Sequence, residues 1–267
     1  MRLCLPLLLL LPFQAEAKWP EDVLLSGMTE HGGAPQVNVA LLSEDYNTVV
    51  KELGTAIANQ AFAPARTLGM KGFAFELNSG FAFTSTRQTV EDEPSAWDRV
   101  HRDEDPSPFM MTPGLSFRKG LPLSLETGFN INWIGMSRTA LFGGYGRLAI
   151  LEGFKPAPDI TMQWGYSGYV GNNELDVGVV DLSFTMGTTL PFGPIPDFNQ
   201  SWFSPYISYT TLRIKAQPNL DADTATAIGA VSYTRKESIV LPRISGGFDL
   251  TTGTFTLGAL GSWAPGS

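Results

Sequence analysis

From residue 67 to the end, large apolar residues alternate with small or polar ones. In "LPLSLETGFNINWIG" (121–135), Leu123, Leu125, Thr127, Phe129, Ile131 and Trp133 share one side, and Ser124, Glu126, Gly128, Asn130 and Asn132 share the other. A period of two is that of a β-strand with one apolar face. The pattern returns in "DITMQWGYSG", "VVDLSFTMG" and "TFTLGALGSW". Gly, Pro and Asn punctuate ten such segments, at about 67–86, 107–119, 121–134, 138–152, 158–170, 174–187, 201–215, 225–236, 238–251 and 253–264. Most are far longer than the usual soluble strand of about five or six residues. They suit a tilted membrane strand, which needs about 9–11 residues in the hydrocarbon plus its ends.

The pattern therefore predicts an all-β fold, an antiparallel transmembrane β-barrel of about ten strands preceded by a short N-terminal helix. An even number of strands would return both termini to the same side. If 121–134 and 138–152 pair about Met136–Ser137, Trp133 faces Ala140 and Glu126 faces Arg147. Pro113, Pro205 and Pro242 fall within strands, where each removes a ladder hydrogen bond, so bulges or local openings are expected there.

The helix is the one departure from period two. In "SEDYNTVVKELGTAIANQ" (43–60), Val49, Val50, Leu53, Ile57 and Ala61 recur at helical spacing, with Ser43 or Asp45 as cap and Pro64 closing the segment. The expected organisation is a signal peptide at 1–17, a periplasmic N-terminal segment at 18–66 with its helix at about 44–60, and the barrel at 67–267. The apolar stripe implies that the helix packs on something. It plugs the lumen or docks at the periplasmic mouth, unless the segment is only loosely attached.

The leader reads from Arg2, the apolar run "LCLPLLLLLPF" (3–13) and small residues up to Ala17. That run is too short to cross a bilayer as a helix, which takes about 20 residues. Cys4, the sole cysteine, leaves with it, so no disulfide or Cys metal site is expected in the exported chain. An exported chain without a spanning helix enters a membrane only as a closed barrel.

Charge decides which face meets lipid. Glu76, Glu126, Arg147 and Asp181 fall mid-strand on the polar faces, with Arg118, Arg243 and Asp249 nearer strand ends. An Arg on the lipid face costs about 2–4 kcal/mol at the midplane, so these seven are expected in the lumen. Trp133, Trp164, Tyr166, Trp202 and Trp263 are expected in the aromatic girdles. Of the connections, 87–106 is the longest and most charged and reads as external, whereas 119–121 and 153–157 read as short periplasmic turns. The apolar connection 188–200 is long for a periplasmic turn and suits the membrane interface.

The net charge of −8 excludes a nucleic-acid partner. The partners implied are outer-membrane lipids and the barrel assembly machinery; no cofactor or metal is implied, and the oligomeric state stays open. A general base would have to be His31 or His101, the only histidines. His101, among the acids of "DRVHRDED", reads as a solvated loop residue, and no catalytic constellation accompanies it. The lumen charges read first as a network that fills the bore and second as a constriction that selects solutes.

"LGMKGFAFEL" after a short helix, "RKGLPLSLETG" (118–128) and "EGFKPAPDI" (152–160) resemble a group of small, poorly characterised outer-membrane β-barrel proteins of Gram-negative bacteria. The resemblance spans about 67–264 plus the helix and implies a fold and a location, with no site residues. Such barrels commonly end on an aromatic residue, whereas here "APGS" follows Trp263. The function expected is that of an integral outer-membrane barrel, either a narrow channel or a structural barrel with a charge-lined lumen. The alternatives are an outer-membrane barrel hydrolase or an exported soluble barrel that binds a lipid-like ligand.

Overall fold

Period two in the sequence becomes one antiparallel sheet in the computed structural model. The structure describes residues 22–25, 28, 39–60, 64–86, 94–101, 106–135, 137–154, 157–191, 201–220 and 237–266. The leader at 1–17, His31, the segment expected as a strand at 225–236 and most of the charged connection 87–106 lie outside the described residues.

The strands are β1 (Phe73–Phe83), β2 (Phe109–Leu121), β3 (Leu125–Trp133), β4 (Ala140–Leu151), β5 (Asp159–Val170), β6 (Leu175–Gly187), β7 (Leu190–Pro191), β8 (Ser201–Pro218), β9 (Glu237–Thr252) and β10 (Phe255–Trp263). Nine follow one another in sequence order through the sheet, and two-residue β7 pairs with β8 beyond the end of β6. β8 pairs directly with β9. The sheet curls into a half-barrel around a buried core. The expected register of the third and fourth strands is the one found: Trp133 pairs with Ala140 and Glu126 with Arg147.

Two ends of the curl differ in character. At the turn end, β2 passes to β3 and β9 to β10 through tight connections. Leu121 pairs with Leu125, so the first turn is 122–124 rather than 119–121, with Leu123 and Ser124 in left-handed conformation at φ 62 and 54. Gly253, at φ 61, opens the two-residue turn between Thr252 and Phe255, where its missing Cβ removes the penalty. At the loop end, β1 leaves towards α2 (Ala96–Val100), which Ser95 caps through a reciprocal box with Asp98.

Parity departs from expectation. With nine long strands alternating in direction, β1 and β10 both run from the turn end to the loop end. No pairing between them is present among the described residues. The even count of ten rested on a segment at 225–236, which lies outside the described residues.

The three strand prolines cause no register break. Pro113 sits one residue outside the β2–β3 ladder, which starts at Gly114. Pro205 falls between the ladders of β6 and β7 on β8, and Pro242 lies beyond the last β9–β10 pair at Ile244. Each proline has a flank with no ladder bond to lose. The recorded register shift lies elsewhere, between Ala149 and Leu151.

The helix α1 (Val39–Ile57) begins earlier than expected, so Ser43 and Asp45 are inside it, and it stops before residue 60. Its stripe of Leu42, Tyr46, Val49, Val50, Leu53 and Ile57 is buried. The partners are inward residues of the sheet, including Val177 and Val179 of β6 and Leu212 and Ile214 of β8. Gly54 is in contact with Ile214, and a Cβ there would overlap it. Burying an aliphatic side chain contributes about 1.5–3 kcal/mol, so this stripe is enough to hold α1 on the concave face.

The N-terminal segment crosses the interior from end to end. Asp22 accepts from Ser137 at 2.6 Å and Val23 O accepts from Asn172 at 2.7 Å, both at the loop end. Asn59 lies at mid-height beside Gly144, Ser167 and Asp181. Arg66 and Thr67 reach Asp159 and Glu152 at the turn end, from which β1 starts back. Asp22 and Trp263, the last residue of β10, therefore both lie at the loop end.

Candidate functional site

Alternation sends every second side chain of each strand inward, and the inward set carries the charge. All seven residues expected in the lumen lie on the concave face. Arg118, Glu126, Arg147, Asp181, Arg243 and Asp249 are buried, and Glu76 is half-buried.

At the turn end the charges form one network. Arg118 bridges Glu76 at 2.5 Å and Glu126 at 3.6 Å. Arg147 approaches Glu126 at 3.4 Å and donates to Gln163 at 2.7 Å. The other oxygen of Glu126 accepts from Leu68 N at 3.0 Å, which ties the N-terminal segment to the network. Arg66 and Asp159 add an ion pair at 2.6 Å, and Thr67 donates to Glu152. Two arginines flank one fully buried carboxylate, so the network is a structural tie.

At mid-height Asn59 is the hub. Its amide N–H donates to Ser167 at 3.0 Å and its side chain donates to Asp181 at 2.9 Å. Its carbonyl accepts from the guanidinium of Arg243. Asp181 and Arg243 are thus engaged by the N-terminal segment. Asp249 lies over Gly258, the closest inward neighbour on β10.

At the loop end Glu52 of α1 accepts from Trp97 Nε1 at 2.6 Å, from Ser85 N at 2.9 Å and from Ser85 Oγ. Arg99 pairs with Asp45 at 2.8 Å. These contacts bind α2 to α1. Sequence reasoning missed Glu52 and Asn59, although an acid beside a helical apolar stripe is a signal of a buried partner.

His101 is not the solvated loop residue expected. It is 3% exposed, its Nδ1 lies 2.8 Å from Trp97 O, and its ring is 5.9 Å from that of Trp97. Burial lowers its pKa from the ordinary 6.5, against the Trp97 carbonyl and the charges of Asp98 and Asp22, which raise it. A depressed folded value means that the unfolded chain takes the proton first. Its contribution is complete above 6.5 and is lost as pH falls through the lowered folded value. Thermal unfolding or protease nicking at 94–101 should therefore become easier from about pH 7 to about pH 5, and His101→Gln should flatten that slope. Equal slopes in both proteins would discard this account.

The outward set is apolar. Phe73 and Phe83 are 72% and 82% exposed, Leu257 is 72% exposed, and Phe81 packs edge-on against Phe109 at 6.0 Å. Of the residues expected in girdles, Trp133 and Trp263 project outward at the loop end, and Trp202 stands half-buried at the turn end. Trp164 and Tyr166 also project outward, but from the middle of β5, beside Gly146 and Gly144 of β4. The glycine track on β4 gives these large rings room at mid-height, which single-strand reading does not reveal.

Between α1 and the inner faces of β1–β3 there remains a cavity of about 270 Å³. Asn78, Asn130, Asn132, Gln60 and Thr112 line it, with Ser262 of β10 and Ala264 just beyond that strand. Comparison with protein-family models, curated proteins and solved structures finds no match.

Proposed function

We propose that the chain is an integral outer-membrane β-barrel whose lumen is filled by its own N-terminal segment, a structural barrel closed in the resting state rather than an open channel. The observation that carries this reading is the inversion of the sheet: its convex face is phenylalanine, leucine and tryptophan, and its concave face holds buried ion pairs. A soluble protein rarely exposes a contiguous apolar patch above a few hundred Å². A soluble lipid-binding barrel would turn the apolar set inward. Nine long strands of 9 to 18 residues and the export-like leader support the same reading. For such a barrel, closure of the seam between β1 and β10 in the bilayer would satisfy edges that hydrocarbon does not tolerate, and that seam would part only to admit a ligand.

The test is fractionation and conductance. Expressed with its leader in a Gram-negative host, the protein should remain in carbonate-washed outer membranes and need detergent for extraction. Purified protein in planar bilayers should stay at background. Recovery in the soluble periplasmic fraction would defeat the membrane reading, and steady conductance of the native chain would defeat the closed lumen.

A further inference from the structure

We propose that the cavity between α1 and β1–β3 binds the head of an uncharged, hydroxyl-bearing amphiphile that enters sideways between β1 and β10. The proposal rests on the membrane reading for the source of its ligand and on the geometry below for its chemistry.

The lining sets the charge. Among the described lining residues there is no Lys or Arg to meet a phosphate. The single acid, Glu52, is already held by Trp97 and Ser85. What faces the cavity is amide. The side-chain oxygens of Gln60, Asn130 and Asn132 are buried and accept no hydrogen bond from the protein. An unmet buried acceptor costs about 1–3 kcal/mol, so three in one cavity favour a ligand that brings donors. A hydroxyl donates and accepts, and so serves either end of an amide.

The sheet is shaped to keep those amides in place. A Cβ on Gly114 would collide with Asn132, and one on Gly143 with Asn130 and Asn59. Glycine floors leave the amides lying flat and facing inward. The volume of about 270 Å³ suits a single sugar ring or a glycerol, and is below the usual range for a drug-sized ligand.

The entrance is the seam. β1 and β10 are the two edges of the sheet, and residues of both line the cavity. Phe81, Phe83 and Trp263 stand at that rim in outward positions, with Trp263 66% exposed. A head among the amides would leave its chain lying across these rings. Aromatic faces also stack on the C–H face of a sugar.

The experiment uses the full mature chain in a detergent without hydroxyls, with native mass spectrometry as readout. Three probes are titrated: a short-chain alkyl glucoside below its micelle concentration, an alkyl phosphocholine of the same chain length, and free glucose. One alkyl glucoside should bind per chain, at least tenfold more tightly than either other probe. Asn130→Leu and Ala82→Trp, which remove an amide and fill the cavity, should each weaken it at least tenfold. Equal binding of glucoside and phosphocholine, absence of glucoside binding, or glucose binding as tightly as the glucoside would overturn the proposal. The head comparison is made on the native chain, so it decides the matter even where a variant fails to fold. Recovery from the soluble fraction would defeat the membrane reading separately, without touching these ratios.

Discussion

Glutamate at both Leu53 and Ile57 should give a conducting chain, if the N-terminal segment plugs a membrane barrel as proposed. Both side chains are buried, at 0% and 3% exposure, in the apolar seam between α1 and strands β6 and β8. Each replacement forfeits an aliphatic burial of about 1.5–3 kcal/mol. Each also sets a carboxylate into the apolar cluster that includes Leu212, Ile214 and Val179. Together these terms exceed the roughly 5.5 kcal/mol that moves a two-state equilibrium from 1:99 to 99:1. The helix should undock while the sheet, whose ladders do not involve it, stays paired. Discrete current steps in planar bilayers, absent from the native chain, are the expected result. Protease added to the micellar protein should then cut within 39–60. Continued silence in a variant that is cleaved there would mean that the sheet alone closes the bore, and the plug would lose its role.

The bore itself sets the size of those steps. Eight to ten strands leave an interior only wide enough for side chains to fill. Arg118, Arg147 and Arg243 remain inside after undocking, with Glu76, Glu126, Asp181 and Asp249 opposite them. Loss of Asn59 from the middle would free Asp181 and Arg243 to face water. A charged constriction would then exist only in the undocked state, which reconciles the two expectations for these residues, network and filter.

How much of this was legible in the chain follows from the range of each interaction. The β3–β4 register was readable because one short connection and two opposite charges fix it, and Glu126 does meet Arg147. Strand faces were readable because period two is local. The start of α1 was not, since Ser43 and Asp45 imitate a cap inside a helix that begins at Val39. Nor was its destination: an amphipathic stripe states that a partner exists, and only the fold identifies β6 and β8. The prolines were visible, but whether Pro242 costs a bond depends on where β10 stops. His101 looked solvated because its neighbours are acids, whereas Trp97 and α2, capped at a distance of three residues, bury it. The amide cavity needed four strands and a helix at once, although Asn130 and Asn132 were already on the polar face of the first pattern read.

The second large effect belongs to Glu126. Its side chain is 0% exposed and is shared by Arg147 at 3.4 Å and Arg118 at 3.6 Å. Glu126→Leu removes the acid paired with Arg147, whose side chain is 2% exposed, and strips the acceptor from Leu68 N. Breaking one partner out of a buried pair costs about 3–5 kcal/mol, because a charge is left uncompensated. Arg118 keeps Glu76 at 2.5 Å, so most of the loss falls on Arg147. The variant should unfold at clearly lower urea in micelles and lose its heat-resistant gel mobility. Glu126→Leu combined with Arg147→Met removes both charges and should recover most of that stability, since apolar replacement of a whole buried pair is often neutral. Leu68 N stays without its acceptor in the double variant, so recovery should stop about 1–3 kcal/mol short. Purely additive losses in the double variant would show that the two side chains do not interact, and the network would have to be redrawn around Gln163.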